Sequence, residues 1–473
     1  MKNARRISWL VLALLLGFIL VACGGGESDT ETDASSDSSS SDSDASDEAV
    51  DDEETMDVTI RYALWDANQL PAYEQCANDF MAANPNITID ISQSGWGDYW
   101  NDIQTGMVAG TAPDVFTNHL AKYPEFASKN QLIDIQPFVD ADGVDLDVYI
   151  GDLALLWTRD GARFGLPKDW DTISIVYNKE MLDAAGVTVD ELNSATWNPE
   201  DGGTFEEIMA KLSVDANGNN GLSADFDKDD VAQYGFVTAY DDGGGAYGQT
   251  QWSYLAASTG FSFIDNLYAT EYHYDDPRFI ATMDWYQNMI TDKGYSAPFT
   301  EVASLGGQAI FNSGQAALIS DGSWMIGTYN NDANFEFGFA RLPIGPEGRK
   351  SMFNGLADSI WSGTEHPDEA WEWVKYLASP ECANTVGEFG VVFPAQADAV
   401  DKALATYESR GLDVSAFTEQ ALEENGTFLF PVTDNASDIA SIMSETVQSI
   451  LLGDAEPADA LPVANEEVNG LFE

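Results

Sequence analysis

Hydrophobic positions along this chain switch repeatedly between the spacing of a half-buried strand and that of an amphipathic helix. Residues 57–63 (DVTIRYA) alternate and predict a strand; residues 70–83 carry a helical spacing that Asn84-Pro85 breaks; Ile87, Ile89 and Ile91 then alternate through a second strand. A strand, helix and strand of this length read as a right-handed parallel crossover. A further helix opens at Trp96 and runs to Gly110, and TAPDVF (111–116) supplies a turn and a third strand. Thr172 to Tyr177 is a run of β-branched and aromatic residues between Gly165 and Pro167 on one side and NKEMLDAAG on the other, which predicts a buried strand entering a helix that Gly186 ends. Thr204 opens another helix, with Glu207 completing a capping box. Beyond it, residues 231–240 are strand-like, 248–260 helical, 315–324 a short strand, 366–377 an amphipathic helix, and the remainder mostly helical.

Polar and aromatic residues gather where these strands end. Trp65 and Asp66 fall at the carboxyl end of the first strand, the usual ligand edge of an open α/β sheet. Lys168, Asp169, Trp170 and Asp171 form an exposed cluster at the mouth of the 172–177 strand, as a ligand cleft is often lined. Asp215, Asn217 and Asn219 alternate as in a calcium loop, but the sixth and twelfth positions are Asn220 and Phe226; the choice lies between a structural calcium and an Asx-rich turn. The glycine run 241–245 lacks the Lys-Ser or Lys-Thr of a phosphate loop and reads as a flexible binding loop. His119 has no partner at a metal-ligand spacing and reads as a solvated loop residue.

Composition adds an address. Residues 1–23 join Lys2, Arg5 and Arg6 to an apolar run that closes on Leu20-Val21-Ala22-Cys23, a secretory signal. Residues 24–56 are Ser, Asp, Glu and Thr with no aromatic ring, an acidic, disordered linker that self-repulsion extends. The rest is too long for one core, so two lobes are expected. The chain carries 80 acidic against 20 basic residues, a net charge of -60, which makes nucleic acid and anionic membrane poor partners and suits salty surroundings. Cys76 and Cys382 either pair in an oxidising compartment or fill helix positions that a small apolar residue would also fit.

Several of these stretches resemble the family 1 extracellular solute-binding proteins of bacterial ABC transporters, the maltose-binding type. The resemblance is carried by Leu166-Pro167, Tyr177-Asn178-Lys179 and Ala185-Gly186, by Gly110-Thr111-Ala112-Pro113-Asp114-Val115, by Gly314, Ala316, Ala317, Gly322 and Trp324, and by His366-Pro367 opening a helix. LVAC at 20–23 resembles the lipobox of bacterial lipoproteins, which implies lipidation of Cys23, an uncleaved anchor being the alternative. The family implies an α/β, two-lobed type II periplasmic-binding fold with mixed, mostly parallel sheets and helices around them. Its lobes would be 57–173 with 343–378 and 174–342 with 379–473. It implies a receptor, exported and anchored on the membrane facing the periplasm or exterior, that binds a mono- or oligosaccharide between the lobes and delivers it to ABC permease subunits as a monomer.

Trp65, Trp96 and Trp324 would then stack on sugar, while Asp66, Asn118, Asp171 and Asp321 would accept hydroxyls. Tyr247, Gln249 and Trp252 fall where the family places sugar contacts and an aromatic platform, although Trp252 would serve equally as core; for Trp324 a plug of the lobe core is the alternative to stacking. Asn354 replaces the first Gly of the family's cleft-lining strand, on which Asp358 also lies. A secreted carbohydrate-active enzyme would need two carboxylates at a set separation, which a sequence does not display. With no nucleophile elbow, zinc spacing or P-loop, the reading is a binding protein without catalytic residues or cofactor, for a sugar or, as the alternative, a non-sugar solute.

Overall fold

The computed structural model describes residues 57–239 and 246–473; Cys23 and its lipobox, the acidic segment 24–56 and the glycine run 241–245 lie outside them. The alternating segments become strands because one face is buried: Ile60 and Tyr62 are fully buried while Thr59 and Arg61 face solvent. Val58–Leu64 pairs in parallel with Ile87–Gln93 along its length and with Val115–Asn118 at its end. Helices Leu70–Ala83 and Trp96–Ala109 form the crossovers, the second stopped by Gly110 in the left-handed region at φ 75°. Ala357–Ile360 and Leu166–Pro167 complete this five-stranded sheet in the antiparallel sense.

A second five-stranded sheet has the order Phe337–Ala340, Ile173–Asn178, Ala316–Gly322, Val231–Val237, Val214–Asp215. Only Ala316–Gly322 and Val231–Val237 pair in parallel there. Both sheets are therefore mixed rather than mostly parallel, because strands that arrive from the other lobe enter against the local direction. Asn178 caps the helix Lys179–Ala185 by accepting from Met181 N, and Gly186 ends it at φ 68°. The capping box expected at Thr204 does not form. That helix begins at Gly203, and Thr204 Oγ1 accepts from Thr196 N at 2.8 Å; a capping box stands instead at Thr188 and Glu191.

Three segments run side by side between the sheets. Lys168 N donates to Leu356 O at 2.9 Å, Asp171 N to Asn354 O at 2.9 Å, and Asp169-Trp170 pairs antiparallel with Phe393-Pro394. Flanked on both sides, Lys168, Asp169, Trp170 and Asp171 are buried, not the exposed cluster expected. Cys76 and Cys382 form a disulfide between helices Leu70–Ala83 and Pro380–Phe389, with Cα atoms 5.3 Å apart.

The candidate calcium loop satisfies itself. Asp215 Oδ1 accepts from Asn217 N at 2.9 Å and Asn219 N at 2.8 Å, and Oδ2 from Asn219 Nδ2 at 3.0 Å and Asp227 N at 2.9 Å. A carboxylate whose two oxygens are already turned to four N–H groups does not fit a hard cation, so these residues form an Asx-rich turn.

Candidate functional site

A cleft of about 280 Å³ opens where the two sheets and the connecting ribbon meet. From the first lobe come Trp65, Asp66, Asn68, Gln69, Trp96 and His119; from the ribbon Asp169, Trp170, Asp171, Asn354 and Leu356; from the second lobe Gln249, Ser323, Trp324 and Met325. Trp65 leaves the end of its strand and meets Trp96 edge to face at 5.0 Å and Tyr99 at 5.3 Å, so the two cleft indoles are fixed by each other and by the ring behind them. Trp324 follows Ala316–Gly322 on a short 3₁₀ turn. A Cβ at Gly322 would lie 2.0 Å from its ring, so the indole folds back over a residue that must be glycine. Trp65, Trp96 and Trp324 stay partly exposed, while Tyr99 and Trp100 behind the first two are buried, which is how stacking surfaces for a ligand are left.

The polar groups are held as firmly. Asp66 Oδ1 accepts from Asn68 N at 2.8 Å and Oδ2 from Gln69 Nε2 at 2.9 Å. Asp171 ties the ribbon to the second lobe, accepting from Gln249 Nε2 at 2.8 Å and from Asn354 Nδ2 of the ribbon at 3.1 Å. Burial, and then Asp169, push its pKa well above the carboxylate range. Asp169 Oδ1 accepts from Leu356 N at 2.8 Å, and burial raises its pKa to about 6. His119 is part of the wall rather than a solvated loop residue: Nδ1 accepts from Ala121 N at 3.0 Å, and burial followed by Lys122 lowers its pKa to about 3.

Because Asp169 holds its proton more tightly folded than unfolded, its contribution to stability is complete below its unfolded pKa near 3.8 and is lost as pH rises through about 6. Acidifying from neutrality to about pH 5 is therefore expected to stabilise the wild-type protein by roughly 1 kcal/mol more than Asp169→Asn. Urea midpoints at the two pH values check this; equal slopes for the two proteins would remove Asp169 as the cause.

Among the residues singled out from sequence, Trp65, Asp66, Trp96, Asp169, Trp170, Asp171, Gln249, Trp324 and Asn354 meet in the cleft. Asn118, Asp321, Asp358, Trp252 and Tyr247 do not. Asn118 is buried in its sheet, donating to Ser359 Oγ at 3.0 Å and accepting from His119 N at 2.8 Å. Asp321 accepts from Tyr329 OH at 2.6 Å and Gly322 N at 2.8 Å inside the second lobe. Asp358 accepts from Tyr62, Thr117 and Lys168 beneath the first sheet. Trp252 packs in the core on Phe279 at 4.7 Å, and Tyr247 is buried against Phe430 at 4.8 Å. His119 was missed as a cleft residue; Asp169, read in sequence as part of the cleft-lining cluster 168–171, was not named there as a ligand contact, although its position two before Asp171 on an extended segment was a signal for it.

A family model described as bacterial extracellular solute-binding protein matches residues 66–383. The chain is similar to the galactooligosaccharide-binding protein of Bacillus subtilis, 23% identical with 99% of this chain and 98% of that one covered. It is also 24% identical to the maltotriose-binding protein of Pyrococcus abyssi, over 66% of this chain and 60% of the other. Among solved structures, an ABC substrate-binding protein of Listeria monocytogenes in complex with cycloalternan superposes with a TM-score of 0.74 at 20% identity, covering 88% of this chain and 99% of that one. The GacH receptor of Streptomyces glaucescens gives a TM-score of 0.70 at 18% identity, with 88% and 99% covered.

Proposed function

The chain belongs to the bacterial extracellular solute-binding proteins, and from that premise we propose that it captures a carbohydrate in the cleft and presents it to an ABC permease. The observation that carries the reading is the pairing of partly exposed indoles with fixed planar acceptors, contributed by both lobes and the ribbon. The C–H face of a pyranose is apolar and stacks on an indole, while its hydroxyls need acceptors such as Asp66 and Asp171. The volume, at the small end for ligand cavities, suits a mono- or disaccharide. Asn68 Nδ2 donates to Thr328 Oγ1 at 3.2 Å across the mouth. A solute touching both walls would favour this closed arrangement over an open one, since only closure brings both walls to it. Cys23 would carry the lipid that tethers the receptor, with the acidic linker giving it reach.

A thermal-shift screen of the full chain against saccharides, polyols, amino acids and phosphorylated compounds tests the proposal, because a bound solute raises stability by mass action. Saccharides are expected to raise the melt; a shift by amino acids or anions alone would overturn the carbohydrate assignment, and product formation would make the protein an enzyme. Trp324→Ala is expected to weaken the bound saccharide by roughly 10- to 100-fold in calorimetry. Wild-type affinity in that variant would remove the stacking role.

A further inference from the structure

Charge in the cleft is one-sided. Its lining holds the carboxyl groups of Asp66, Asp169 and Asp171 and, among the described residues, no Lys or Arg. The neighbouring cation is turned away: Lys168, 1% exposed at its side chain, gives its Nζ to Thr117 Oγ1 at 2.7 Å, Tyr62 OH at 3.0 Å and Asp358 Oδ1 at 3.2 Å. His119 supplies no charge either, since its Nδ1 already accepts a backbone N–H. Two oxygens on deeply buried lining residues lack any hydrogen-bond donor: Asp169 Oδ2, on a residue 3% exposed, and Asn354 Oδ1, on one 2% exposed. Around them stand four indoles, Trp65, Trp96, Trp170 and Trp324.

A neutral sugar closing over this site would give Asp169 no counter-charge beyond Lys168, whose Nζ is engaged elsewhere, and would hold the carboxyl in its protonated form. A protonated amine would supply that charge and three N–H donors from one atom, and indole faces attract a cation further. We propose that the preferred solute is an amino sugar, a pyranose unit bearing a protonated amine that Asp169 Oδ2 and Asn354 Oδ1 receive on the floor of the cleft. This deepens the carbohydrate reading and rests on it.

Isothermal titration of the full chain with glucosamine and the glucosamine disaccharide, against their N-acetylated counterparts, glucose and maltose, provides the test. The free amine is expected to bind at least about tenfold more tightly than the acetylated partner. Asp169→Asn is expected to cut that ratio by about tenfold, and Asp66→Asn by less, with melting curves to establish that both variants fold. Acetylated or neutral sugars binding as tightly as the amines would overturn the amino-sugar inference and leave the carbohydrate function standing. If no saccharide of either kind bound, the carbohydrate function itself would fail and this inference with it. An unchanged ratio in folded Asp169→Asn would overturn the role given to that residue.

Discussion

Lys168→Met is expected to destabilise the protein by about 3–5 kcal/mol, the effect of stranding a buried carboxylate. Lys168 and Asp358 are each 1% exposed at their side chains, with Nζ and Oδ1 3.2 Å apart. Tyr62 OH and Thr117 Oγ1 also lie within hydrogen-bonding distance of that same Oδ1, at 2.9 and 3.0 Å, and Nζ stands 4.1 Å over the Tyr73 ring. Tyr62, Thr117 and Asp358 come from three neighbouring strands of the first sheet, and Lys168 comes from the start of the ribbon that joins the lobes. Methionine keeps the volume and removes the charge, so Asp358 would have to ionise unpaired or take up a proton. The double variant Lys168→Met/Asp358→Leu removes both charges together and is expected to recover much of the loss. Urea denaturation of the three proteins settles it. A single variant within about 1 kcal/mol of wild type, or a double variant worse than the single, would mean the pair does not anchor the ribbon.

The same network explains which parts of the site could be read in the sequence. Helix Leu70–Ala83 was legible because its spacing and the Asn84-Pro85 break are local, and Gly110 and Gly186 were legible as helix ends because only glycine takes those conformations readily. Trp65, Asp66, Trp96 and Trp324 follow from standing just past strand ends or at the start of the next helix, where a sheet of this kind presents ligands. Asn118, Asp321 and Asp358 stand on strands too, yet each finds a partner supplied from elsewhere in the fold: Ser359, Tyr329 and Lys168 respectively. Whether a polar residue on a strand faces a cleft or a neighbouring element depends on pairings that local pattern does not encode. Trp252 was open for the same reason, its ring being claimed by Phe279. The four-residue patch 168–171 looked exposed because it is polar; two further crossings, far away in sequence, bury it and turn it into the cleft floor.

Removing the disulfide with Cys76→Ala/Cys382→Ala is expected to lower stability by about 2–5 kcal/mol, toward the upper end because the closed loop is so long. The two residues are 306 positions apart and both fully buried. One lies in the helix after the first strand, the other in the helix that follows the last return to the first lobe. The middle of the chain, including the second sheet, is therefore threaded between the two covalently joined points, while the C-terminal helices that pack on the second lobe follow Cys382. Without the bond, the unfolded chain would gain the freedom of the whole intervening segment, while the folded chain would lose only sulfur packing between two helices. The loss should fall on the first lobe. In a urea titration followed by intrinsic fluorescence, the variant is expected to show that lobe unfolding first, as an early step separate from the second lobe. Adding a reductant to the wild-type protein should reproduce the shift only after the lobe has opened, because neither sulfur is accessible in the folded state. A variant that melts with wild-type midpoint and in a single step would show that packing of helix Pro380–Phe389 against helix Leu70–Ala83 holds the two passes together without the bond.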